Sequence, residues 1–242
     1  MHFFKIISLI ILIFSLASCA SPKKMGATQK QIHKVKILTL YDSLQKIDAK
    51  VGDPIFIRIL KKEKKLELWV KADKKFKLCK TYNICTFSGE LGPKLKQGDK
   101  QSPEGFYTVN QKQLKPNSKY HLGLILDFPN KYDRYQKRTG SYLMIHGKCS
   151  STGCYAMGNA QIEEIYKMAE AALKNSQKKF DVHIFPFEMT AKNMELYSSN
   201  KWLLFWVNLK LGYDIFERYG VVPIVRADKD SYRFFLLSKD KI

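Results

Sequence analysis

Apolar positions in this chain form one near-continuous run and then many short ones. Ile6 to Leu16 is almost unbroken. It has the length of a secretory h-region and is too short for a comfortable membrane span. Ala20 to about Lys34 is polar and basic and reads as a tether. Leu38, Tyr41, Leu44 and Ile47 recur at helical spacing, and Gly52-Asp53-Pro54 ends that helix. Strand patterns follow at Ile55 to Leu60, Leu66 to Val70 and, after an Ala72-Asp73 turn, along Phe76 to Phe87. Ser88 to Glu104 is rich in Gly, Pro and Lys and predicts a loop. Phe106 to Val109, His121 to Phe128 and Tyr142 to His146 predict further strands. Asn159 is a good N-cap for a helix whose Ile162, Ile165, Met168, Ala169 and Ala172 or Leu173 share a face. Val182 to Phe187 predicts a strand, Thr190 caps a short helix, and Ser199 or Asn200 opens an aromatic-rich one through Trp202, Phe205, Trp206 and Leu209. Val221 to Arg226 and Tyr232 to Leu237 predict a closing hairpin. The expected class is α+β: a mainly β, sandwich- or barrel-like body with helices at one side and a helical C-terminal part.

Composition narrows the field. Of 242 residues 45% are hydrophobic and 26% charged, which excludes wholesale disorder. No solenoid-period repeat is visible, and the single apolar run excludes a polytopic membrane protein. The net charge of +20 is unusual and favours a polyanionic partner. The N-terminus bears on which one. Leu16-Ala17-Ser18-Cys19 resembles the bacterial lipobox, with Cys19 as the lipidated residue. The expectation is a signal peptide over 1–18, a tether and short helix over 19–50, and a globular domain with its helical and hairpin extension over 51–242. The protein is then held at the cell envelope by its N-terminal lipid, periplasmic or wall-facing. Membrane headgroups and wall polymers become the expected anionic partners, and nucleic acid does not.

The chemistry gathers around His146-Gly147-Lys148-Cys149-Ser150-Ser151-Thr152-Gly153-Cys154. The predicted strand delivers His146 to a sheet end, and the following turn brings the chain back at Cys154. An adjacent imidazole or a helix N-terminus lowers a thiol from its usual 8.5 or so and makes thiolate available. The N–H groups of Gly153 and Cys154 suit an oxyanion hole. A bland alternative stands beside this reading. His146, Cys149, Cys154 and His183 are donors of the right types for a tetrahedral zinc set, although Cys-x4-Cys is wide for zinc. His183 lies in an apolar run and reads as a core residue, and Lys61-Lys62-Glu63-Lys64-Lys65 reads as a solvated hairpin tip.

His146-Gly147 followed by Ser151-Thr152-Gly153-Cys154 resembles the active-site signature of the L,D-transpeptidase (YkuD-type) catalytic domain, and a second block from Gly92-Pro93 through Ser102-Pro103-Glu104-Gly105-Phe106-Tyr107 agrees. The YafK-like subgroup is matched more closely, through Ser88 to Lys94, Phe128 to Arg134 and Met144 to Met157. The resemblance implies a cysteine acyl-transfer enzyme acting on peptidoglycan stem peptides without metal or organic cofactor. Cys154 matches the nucleophile, His146 the general base, and the Gly147 carbonyl the group that orients the imidazole. The thioester would form at the L-centre of diaminopimelate. Its acceptor is an amine, giving transpeptidation, or water, giving cleavage, including release of a wall-linked lipoprotein. Tyr155-Ala156-Met157 stands where many members carry an Arg, so Arg134 or Lys148 is expected to help bind substrate, with Ser151 and Tyr155. A non-catalytic peptidoglycan-binding lipoprotein of the same fold is the alternative. Among the remaining cysteines, a Cys79–Cys85 bridge along one strand would span roughly 20 Å and is too long. Cys149 with Cys85 is an available pairing, whereas Cys149 with Cys154 would silence the enzyme.

Overall fold

The computed structural model describes residues 39–236. The expected signal segment, Cys19, the tether and Leu237 lie outside them. Helix α1 (Leu40–Lys46) opens with a capping box in which Thr39 and Asp42 exchange side-chain bonds with each other's backbone. Leu40 and Leu44 are buried with the strands that follow. The helix packs on the same core as β1 and β2.

The strands are β1 (Ile55–Leu60), β2 (Lys65–Ala72), β3 (Lys75–Asn83), β4 (Thr86–Phe87), β5 (Gly105–Asn110), β6 (Leu114–Ser118), β7 (His121–Ile125), β8 (Met144–His146), β9 (Tyr155–Ala156), β10 (Lys179–Phe185), β11 (Ile224–Ala227) and β12 (Tyr232–Phe235). Between them lie α2 (Lys131–Tyr135), α3 (Asn159–Asn175), α4 (Ala191–Leu196) and α5 (Leu203–Tyr219). One five-stranded sheet has the order β3-β2-β1-β10-β5, the other β4-β9-β8-β7-β6, and β11-β12 form a separate hairpin. The fold class is α+β.

Strand alternation decides which side of the first sheet faces what. Ile55, Ile57 and Ile59 of β1, Leu66 and Leu68 of β2 and Val182 and Ile184 of β10 turn one way. They meet Leu124, Ile145 and Tyr155 of the second sheet and the buried face of α3 (Ile162, Ile165, Met168, Ala169, Ala172) in one core. The opposite face presents Leu60, Phe106 and Phe185, which pack under Phe205, Trp206, Leu209 and Tyr213 of α5. β1 is buried at all six positions because it is covered on both sides.

Three sequence expectations change. The Phe76 to Phe87 run is two strands in two sheets: the chain leaves β3 after Asn83 and enters β4 at Thr86. Asn159 is the first helical residue, with Gly158 at the cap, and the Asn159 side chain reaches back to the Lys148 N–H (2.9 Å). Lys61 is fully buried, not solvated. Its Nζ donates to the carbonyls of Glu90 (2.8 Å), Gly92 (3.1 Å) and Ser102 (3.1 Å) and pairs with Glu104 Oε1 at 3.0 Å. Glu104 also accepts from the Gly92 N–H (2.6 Å) and the Trp206 indole (2.8 Å). One ammonium thus closes the 88–104 loop onto the end of β1.

Candidate active site

β8 and β9 pair in parallel, with Ile145 opposite Tyr155 and His146 opposite Ala156. Extending that register by one residue sets Cys154 beside Met144. Cys154 itself lies in the bend just before β9, and strand spacing and rise put the Cα atoms of 146 and 154 roughly 8 Å apart. The strand end and the turn thus set the two residues marked in the sequence on neighbouring segments.

The connecting loop is pinned at many points. His146 O accepts from Met157 N (2.7 Å) and Lys148 O from Gly158 N (2.8 Å). A disulfide joins Cys149 to Cys85, Cα–Cα 5.4 Å, across 64 residues of sequence. The Cys154 carbonyl accepts from Ser151 Oγ (2.7 Å) and Ser102 Oγ (3.1 Å), tying the turn to the 88–104 loop. Gly147 is required by close approach: a Cβ there would sit 2.6 Å from Tyr120 O and 2.9 Å from Asn159 Oδ1. Gly153 has φ +127, a backbone conformation that favours glycine.

His146 is 1% exposed, and its Nδ1 lies 2.6 Å from Gly147 O. A carbonyl only accepts, so Nδ1 carries the proton and Nε2 keeps its lone pair, the tautomer a general base needs. The Tyr120 ring stacks on the imidazole at 4.4 Å. Burial pushes the His146 pKa below the ordinary value, against the opposing Gly147 bond. The Cys154 thiol, half-buried and 3.7 Å from Tyr142 O, is free and is pushed up. Burial is the main cause, with the Met144 backbone and the Lys94 charge acting the other way. This corrects the expected low thiol pKa. Desolvation dominates, and β9, Met157 and Gly158 separate Cys154 from the start of α3. Both shifts disfavour the charged form, thiolate on one side and imidazolium on the other.

The remaining expected residues are placed as follows. Of the two N–H groups expected to line an oxyanion hole, Gly153 N–H points to Ser151 Oγ (3.3 Å), while Cys154 N–H has no acceptor among the described residues. Ser151 serves the turn itself. Tyr155 is fully buried with its hydroxyl on Pro103 O (2.8 Å), so it is a core residue rather than a substrate contact. Lys148 is exposed on the loop. Arg134 is exposed on α2 and lines a cleft of about 880 Å³ with Asp181 and Arg226, to which the 147–154 loop contributes nothing. The zinc set does not converge: Cys149 is bonded to Cys85, and His183 sits in the first sheet against Phe56 and Phe106, each 4.7 Å away.

Lys94 carried no role in the sequence reading, although it ends the Ser88 to Lys94 block. It is 3% exposed, bonds Asp99 Oδ1 (2.5 Å) and Lys96 O (3.0 Å), and is the cation acting on the thiol. Its loop is laced to the segment leading to Tyr142 through Thr139 N to Leu95 O (3.0 Å) and Ser141 N to Gln97 Oε1 (3.1 Å).

The two-sheet α+β body thus carries a buried imidazole fixed at the end of β8 and a free thiol one residue before the adjacent parallel strand β9. Residues 54–184 match the YkuD family model, the L,D-transpeptidase catalytic domain, and the chain belongs to that family. It is 46% identical over 182 residues to "Putative L,D-transpeptidase YafK" of Escherichia coli K12, covering 75% of this chain and 74% of that protein. Among solved structures it is similar to the helical cell shape determining protein Pgp2 of Campylobacter jejuni: 20% identity, TM-score 0.45, 79% of this chain and 81% of that one. A Pgp2 variant aligns at 25% identity and TM-score 0.45, over 70% of this chain and 64% of that chain.

Proposed function

We propose that the protein is a cysteine acyl-transfer enzyme that cuts or exchanges the bond at the L-centre of diaminopimelate in peptidoglycan stem peptides. Cys154 Sγ attacks the carbonyl carbon while its proton passes to His146 Nε2, so a neutral pair suffices and no preformed thiolate is needed. The C–N bond breaks, His146 returns the proton to the departing amine, and a thioester remains on Cys154. Water or a second amine then attacks the thioester, with His146 taking the incoming proton and the Cys154 sulfur leaving. The Cys154 N–H faces the developing oxyanion. What supports this reading is the parallel pairing of β8 with β9, which starts one residue after Cys154, together with the bond from His146 Nδ1 to Gly147 O that leaves Nε2 free to take a proton. Lipidation at Cys19 and residence at the envelope belong to the same proposal, as does a wall-linked lipoprotein as one substrate.

The test is mass spectrometry of wall fragments incubated with the protein. Loss of a lipoprotein-linked muropeptide indicates hydrolysis, and a new diaminopimelate–diaminopimelate link indicates transfer. Neither product forms with Cys154→Ser. If no product forms with the unaltered chain on either substrate, the non-catalytic wall-binding reading replaces this one.

A further inference from the structure

Helix α5 is apolar on two sides. Its inner side, Phe205, Trp206, Leu209, Tyr213 and Phe216, closes a core. Its outer side carries Leu204, Val207 and Leu211, exposed by 85%, 46% and 53%, followed by the half-buried Ile215. The spacing of three, four and four residues lays them in one stripe roughly 16 Å long. The stripe runs into a groove of about 720 Å³ where Leu211 and Ile215 meet Phe235 and Leu236, 45% and 41% exposed. A surface helix normally turns polar residues outward, and a contiguous apolar patch of this kind marks a docking face.

The surrounding charge selects the occupant. Lys201 and Arg218 flank the stripe and have no carboxylate partner among the described residues, whereas Asp214 and Glu217 are engaged by Lys210 and Arg58. The face is therefore apolar with a cationic margin, on a chain of net charge +20. A second copy would bring +20 against +20, an arrangement that repels. A wall glycan offers anions but nothing to cover four aliphatic side chains. A lipid surface with anionic headgroups supplies both partners: acyl chains for the stripe and headgroups for Lys201 and Arg218. No helix among the described residues is long and apolar enough to cross a membrane, so α5 lies on the surface rather than spanning it.

We propose that the outer face of α5, with the edge of β12, docks on an anionic lipid surface and orients the globular unit there, independently of any N-terminal anchor. The test uses the full chain with vesicles carrying a diazirine-bearing phosphatidylglycerol. After photolysis, peptide mass spectrometry maps the cross-links. The expected result is label on residues 203–215 and 234–236 in phosphatidylglycerol vesicles, falling roughly tenfold or more with Leu204→Asp/Leu211→Asp or in all-phosphatidylcholine vesicles, and weakened by 0.5 M salt at about the level expected of headgroup attraction. Both aspartates replace exposed side chains, so the fold survives them, and unchanged circular dichroism and Cys154 reactivity confirm it. Label absent from α5, label equal in neutral vesicles, or a salt-resistant dimer that hides the stripe overturns the proposal.

Discussion

Replacing Lys61 by Met removes one ammonium and exposes how the loop beside Cys154 is held. Lys61 and Glu104 are both fully buried, and Lys61 supplies donors to three loop carbonyls as well as to Glu104. Burial alone pushes the Lys61 pKa down, with Glu104 opposing, so its charge is tolerated only because of these partners. Lys61→Met fills a similar volume but strands the Glu104 carboxylate, keeping only its bonds from Gly92 and Trp206. Removing one partner of a buried pair costs about 3–5 kcal/mol. For a unit of this size that lowers the melting temperature by roughly 6–20 °C. The double variant Lys61→Met/Glu104→Gln recovers part of the loss, because the unpaired charge is gone and the pair is coupled by about 0.5–3 kcal/mol. The assay is thermal and urea unfolding followed by circular dichroism. Alkylation of Cys154 is measured in parallel, since Ser102 of this loop holds the Cys154 carbonyl. A loss under about 1 kcal/mol, or a double variant worse than the sum of the singles, would refute the reasoning.

Further outcomes follow from the same structure. His183 is fully buried with neither ring nitrogen partnered, and burial chiefly, with Arg58 beside it, lowers its pKa to about 3. The unfolded chain therefore takes up a proton below about 6.5 that the native state refuses, and by pH 4.5 this costs about 3 kcal/mol of stability. Asp181, raised to about 6 by burial, acts with the opposite sign between about 4 and 6. Comparison with His183→Leu therefore isolates the imidazole, and equal acid slopes in both chains would contradict this reading. Cys154 alkylation should still be climbing above pH 8, and His146→Ala should cut turnover by about 10²-fold or more. A rate flat from pH 6 to 9 would indicate a preformed thiolate instead. Cys85→Ser/Cys149→Ser opens a closure spanning 64 residues and should destabilise the chain by about 4 kcal/mol in urea, with a result under about 1 counting against it.

The strands of the first sheet were legible because alternation and β-branched runs report burial directly, as in Leu66 to Val70. The break at Ile84-Cys85 was not, since Phe76 to Phe87 reads as one β-forming run and only tertiary pairing with β9 divides it. β9 itself is two residues long, too short to carry a period. β6 contains Pro116 and survives as an edge strand, where a missing N–H is tolerated. At the candidate site, the strand that ends at His146 was legible from its apolar run, and the turn before Cys154 from its Ser, Thr and Gly residues. The burial of Lys61 was hidden inside a lysine run that looks solvated. The high thiol pKa was hidden because a sequence names neighbours but not their desolvation, and Lys94 reaches the thiol only through the fold of two loops. Tyr155 looked available because it follows Cys154, yet it lies in the core, paired with Ile145.

The central claim, a thioester formed on one sulfur, is tested most directly by acid-quenched intact-mass spectrometry of the chain mixed with a diaminopimelate-containing stem peptide. The expected result is a transient acyl adduct that maps to Cys154, is released by hydroxylamine, accumulates when acceptor is withheld, and is absent in Cys154→Ser. Turnover of the same peptide by Cys154→Ser, or turnover by the unaltered chain through an adduct on another residue, would contradict it.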